Sequence, residues 1–136
     1  MKGFEDSISD ILTDMVGYAL DYCNKSVDDI YIHCSNENNC ISSNVFFKKN
    51  GNKLKRNQIK NQEPSQQQEL IHYINKKIKD IENVCIDHKQ PIPTEIKLFY
   101  EVSSKNLKSD FSYENLYSDS DTVVVQDVFD MWFEAV

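Results

Sequence analysis

The chain has 136 residues, enough for one domain with a real hydrophobic core. Its hydrophobic fraction of 40% is too high for a disordered segment. With 15 basic and 22 acidic side chains the net charge is −7, which sets the chain against DNA, RNA or anionic lipid as a direct ligand.

Residues 4–23 predict an amphipathic helix. Phe4, Ile8, Ile11, Leu12, Met15, Ala19 and Leu20 recur at helical spacing, while Asp6, Asp10, Asp14 and Asp21 fall largely elsewhere. Gly17 weakens it by about 1 kcal/mol relative to Ala. Because Asp6, Asp10 and Asp14 interrupt the first apolar stretch, the amino terminus does not read as a secretory signal. No run approaches the roughly 20 apolar residues that span a bilayer. A cytoplasmic protein with no membrane partner is the expectation.

An alternating segment follows, with Ile30, Ile32 and Cys34 on one strand face and Tyr31 and His33 on the other. Ser35–Asn39 is polar and reads as a turn. Ile41–Lys48 predicts a second strand, Val45 and Phe47 facing away from Phe46. Asn50–Gly51 is the strongest hairpin signal in the chain, since both residues tolerate positive φ, so a short third strand should begin near Lys53. Lys48, Lys49, Lys53, Lys55, Arg56 and Lys60 give this stretch a basic run. It lacks the aromatic stacking of a nucleic-acid patch and reads as a solvated hairpin whose charges discourage strand addition.

Residues 61–69 are polar and Gln-rich, a linker by composition, with Pro64, Ser65 and Gln68 resembling a capping box. A second helix then carries Leu70, Ile71, Ile74, Ile78, Ile81, Val84 and Cys85 as its apolar stripe. Pro91 and Pro93 stop it. In 94–102, Ile96, Leu98 and Tyr100 alternate with Glu95, Lys97, Phe99 and Glu101. In 107–114, Leu107, Ser109, Phe111 and Tyr113 alternate with Lys108, Asp110, Ser112 and Glu114. This is a second hairpin whose polar face carries charge. The spacing of Val125, Val128, Phe129 and Trp132 predicts a C-terminal helix capped by Asp121 or Thr122. The fold class is therefore α+β: an antiparallel sheet of about five strands in two hairpins, packed with N-terminal, central and C-terminal helices over residues 1–136.

Cys23, Cys34, Cys40 and Cys85 lack the CxxC pairs of zinc sites, and His33, His72 and His88 add no regular ligand pattern. Four reduced thiols, at least two of them in the core, are expected, with no metal and no cofactor. Cys34 and Cys40 facing one another across a hairpin is the alternative, decided by turn register. Enzyme motifs are also missing: there is no GxSxG, no HExxH and no glycine-rich phosphate loop.

After Lys108 every ionised side chain is acidic, and these acids are interleaved with Phe111, Tyr113, Tyr117, Phe129, Trp132 and Phe133. Such a surface repels phosphates and complements a basic protein. Asp110, Glu114, Tyr117, Asp119, Asp121, Asp127 and Asp130 are the candidate partner-binding residues. Trp132 shares a helical register with Phe129, which points it to the core.

The segment from Pro93 onward reads Pro-Thr-Glu-Ile-Lys-Leu-Phe-Tyr-Glu-Val, then Lys-Asn-Leu-Lys-Ser-Asp-Phe-Ser-Tyr-Glu, then Val-Phe-Asp-Met-Trp-Phe-Glu. It resembles the YezG-like immunity (antitoxin) family of bacterial polymorphic toxin and contact-dependent inhibition systems. There a Pro-Thr-Glu-Ile-Lys strand, a second strand ending near Tyr-Glu and a terminal Trp-containing helix recur. The resemblance implies a small cytoplasmic protein, not an enzyme, that binds and neutralises a cognate toxin domain, often a nuclease. A small enzyme, or an adaptor for some other basic protein, are the competing classes.

Overall fold

The computed structural model describes residues 3–38, 40–59, 63–114 and 123–136. The described chain runs α1 (Phe4–Tyr22), β1 (Asp29–Glu37), β2 (Cys40–Lys49), β3 (Asn52–Lys55), α2 (Pro64–Asp87), β4 (Glu95–Glu101), β5 (Asn106–Ser112) and α3 (Val125–Ala135). A short 3-10 turn at Arg56–Gln58 follows β3. The strands form one antiparallel sheet in the order β3-β2-β1-β4-β5, so the fold is α+β as expected.

Periodicity accounts for α1 and α2. Ile8, Leu12, Met15 and Ala19 of α1, with Leu70, Ile74, Ile78 and Ile81 of α2, are buried against one face of the sheet. Both helices stop by the same device. Asn24 and Lys89 adopt left-handed φ of +53° and +54°, and the next N–H returns to the helix, Lys25 N to Leu20 O at 3.0 Å and Gln90 N to Cys85 O at 2.8 Å. The Asn50–Gly51 turn has φ of +53° and +81°, the double left-handed geometry of a type I′ hairpin, and pairs Lys49 with Asn52.

Four expectations need correction. Ser35–Glu37 is not a turn but the end of β1, pairing with Cys40–Ser42, and Ser35, Asn36 and Glu37 are buried. Asn36 holds strand geometry there because a distant partner satisfies its amide, Nδ2 donating to Glu82 Oε1 of α2 at 3.3 Å. The Gln-rich tract is not a linker from residue 63 on. Pro64 starts α2 at the position where a missing N–H costs nothing, and the Glu63 N–H donates to Gln66 Oε1 at 2.9 Å. The cap is thus Glu63 with Gln66, not Ser65 with Gln68. Likewise α3 is capped through Val124, whose N–H donates to Asp127 Oδ2 at 3.0 Å; Asp121 and Thr122 lie outside the described residues.

Cys23, Cys34 and Cys85 are buried, in keeping with core thiols, and the turn register leaves Cys40 exposed and opposite Glu37 rather than Cys34. Cys34 pairs with Ser43 instead, and burial pushes its thiol far up from the ordinary value.

Glu82 ties α2 to the sheet. Its hydrogen bond from Lys79 holds the carboxyl below the ordinary 4.5, with Asn36 assisting and burial opposing. A depressed folded pKa adds stability above the unfolded value, and that contribution is lost as pH falls through the folded one. Acidification below about 4.5 should therefore steepen the loss of stability in the wild type more than in Glu82→Gln, read from urea midpoints against pH. Parallel profiles for the two proteins would show that this carboxylate is uncoupled from folding.

Candidate functional site

The second face of the sheet is where charge and aromatics meet. Alternation along β1, β2 and β4 turns Tyr31, His33, Phe46, Glu95, Lys97 and Phe99 to that side, and α3 lies across them. Tyr31 stacks on Phe46 at 4.4 Å between ring centroids and 3° between planes. Phe129, Trp132 and Phe133 of α3 meet Phe46 edge-on at 5.7, 5.3 and 5.0 Å. Burial, seconded by Asp29, pushes the Tyr31 hydroxyl up to about 12.

The polar residues beneath α3 are paired. His33 Nε2 and Glu95 Oε2 share a hydrogen bond of 2.9 Å, both residues being buried. The His33 ring also contacts Phe129 and Trp132 at 6.0 Å each. Lys97 sits 5.8 Å over the Trp132 ring and 3.9 Å from Glu95 Oε1. The polar side of the second hairpin is therefore partly a second core, which alternation alone does not reveal.

The basic hairpin holds the other end of α3. Lys53 Nζ donates to the carbonyl oxygens of Phe133 at 2.6 Å and Glu134 at 3.3 Å, in the last turn of the helix. Lys53 and Lys55 also lie over the Phe133 ring at 5.3 and 5.1 Å. A cation at the negative end of the helix dipole stabilises it. These lysines are thus a clamp on α3, not only solvated edge charges.

The outer face of α3 is acidic. Asp127, Asp130 and Glu134 surround Met131, which is 62% exposed, and together with Ala135 they line a shallow, open depression. Positions 127, 130, 131 and 134 make one helical stripe. Met131 and Glu134 were missing from the candidate residues, although this spacing could have found them. Asp127 has a second duty as the cap, and Asp130 accepts from Gln126 Nε2 at 2.9 Å.

The remaining candidates lie apart from this stripe. Asp110 is exposed on β5 but stands opposite Lys97 in the register, so a lysine flanks its charge. Glu114 is exposed just beyond β5, its carbonyl accepting from Thr94 Oγ1 at 2.6 Å. Tyr117, Asp119 and Asp121 lie outside the described residues. Trp132 is half-buried against the second core.

Among the described residues no group of His, Cys, Asp and Glu is placed to hold a metal ion, and no helix is long and apolar enough to cross a membrane. No family model matches the chain, and no curated protein matches it either.

An α3 of 11 residues is too short to be stable alone, so its docking must come from the aromatic cluster. Phe129→Ala should cost about 3 kcal/mol of unfolding free energy and red-shift the emission of Trp132, the sole tryptophan. Unchanged emission together with unchanged denaturation would mean that Phe129 does not seat the helix.

Proposed function

We propose that the chain is an immunity protein that binds and neutralises a cognate bacterial toxin domain, a basic nuclease in class, in the cytoplasm. The observation that carries this reading is the outer face of α3, where three carboxylates ring an exposed Met131 on an open surface. An apolar anchor inside a charged rim is the anatomy of a protein interface rather than of a small-molecule cleft. The tail motifs from Pro93 onward add the likeness to YezG-like immunity proteins. A basic nuclease presents the opposite sign, so an acidic face would capture it quickly and compete with its nucleic-acid substrate.

The enzyme reading has less support. His33 with Glu95 is the best-placed acid–base pair among the described residues, and it is buried under α3 against Phe129 and Trp132. General acid–base catalysis needs such a pair within reach of substrate.

Co-expression with its cognate toxin domain should protect the cell and yield a stable complex; the absence of both protection and complex would overturn the assignment. The charge itself is tested by Asp130→Lys with Glu134→Lys, which spares the capping Asp127. Association at low salt should slow by about tenfold and lose much of its salt dependence, with folding intact. An unaltered on-rate would move the interface away from α3.

A further inference from the structure

Arg56 is a cation with an incomplete set of partners. Its Nη1 donates to Asn44 Oδ1 at 2.6 Å, while its Nε is buried without a hydrogen-bond partner among the described residues. Among the described residues no carboxylate pairs with it. Burial pulls its pKa down, Tyr22 acting weakly in the other direction. A guanidinium taken partly out of water with no counter-charge is costly, and an anion beside it relieves that cost.

Two cavities share Arg56 and Gln67 as lining residues, one of about 410 Å³ and one of about 260 Å³. The larger is also lined by Gln68, His72, Asn75 and Ile71. No described residue lining either cavity at the Arg56 end is acidic, in a chain whose net charge is −7. Ser43 Oγ donates to Asn75 Oδ1 at 2.6 Å, so what Asn75 retains for a ligand is its amide N–H groups. Lys55 lines the smaller cavity and adds a second positive charge.

We propose that the Arg56 cavity is an anion-binding site that takes the phosphate group of a small phosphorylated ligand. The guanidinium supplies the charge and a planar fork of donors. The amides of Gln67, Gln68 and Asn75 and the imidazole of His72 supply further donors, more than a two-oxygen carboxylate uses and suited to the three free oxygens of a phosphate monoester. Ile71 offers an apolar wall for the rest of the ligand, and the larger cavity falls in the range of about 300–1,000 Å³ usual for small-molecule sites. The smaller cavity borders α3 through Gln126 and Phe129, but no residue of the acidic stripe lines either cavity, and the site is opposite to that stripe in sign.

The test is a titration of the whole chain with inorganic phosphate and with phenyl phosphate at constant ionic strength, acetate serving as the carboxylate comparison. Binding is followed by the NMR shift of the His72 imidazole and by calorimetry. The expected result is saturable binding of both phosphates, tighter for the monoester, and weakened about tenfold or more in Arg56→Gln. Gln67→Glu keeps Arg56 but brings it an internal carboxylate, and it should abolish binding in a protein whose circular dichroism matches the wild type. No saturable response in the wild type, or equal affinity in Gln67→Glu, would overturn the proposal; acetate binding as tightly as phosphate would overturn its phosphate class.

Discussion

The structure depends on β1 having two faces that both need cover. Ile30, Ile32 and Cys34 fill the side under α1 and α2, while Tyr31 and His33 are equally buried on the other side. An antiparallel sheet usually leaves one face to water. Here the second face carries the flat Tyr31–Phe46 stack, apolar surface that water covers poorly, and a short helix must seal it. That helix is too short to stand alone, so sheet and helix stabilise each other. His33 and Glu95 lose hydration beneath it and are tolerable only as a hydrogen-bonded pair.

The same helix links packing to function. Its inner stripe is aromatic and its outer stripe acidic, so seating the aromatics determines which carboxylates point outward. The Lys53 clamp on the carbonyls of its last turn sets the position of that end. A partner gripping the outer stripe would therefore meet charges already held in place, which lowers the ordering cost of association. Charge is also segregated, since the acidic stripe lines neither of the cavities at Arg56.

Much of the architecture was legible from pattern. Alternation in 30–34, 41–48 and 96–101 located three strands, Asn50–Gly51 located the hairpin, and helical spacing located all three helices. Acidity of the tail was equally plain, although it pointed to Asp110, which stands opposite a lysine, as readily as to Asp130. Stretches judged by polarity were misread. Ser35–Glu37 looked like a turn and the glutamines like a linker, because composition records a residue's preference for water and not whether a partner waits elsewhere.

What the sequence determined by itself is therefore local: the period of each segment, the turns that need left-handed backbone, and the sign of the charge. Tertiary structure alone decided which polar groups are buried and what holds the cations. The partners that settle those questions lie far along the chain, His33 to Glu95 across 62 residues, Asn36 to Glu82 across 46, and Lys53 to Phe133 across 80. No periodicity within one segment can encode a contact at that separation; the pairing of β1 with β4 and the packing of α2 and α3 on the sheet create these contacts.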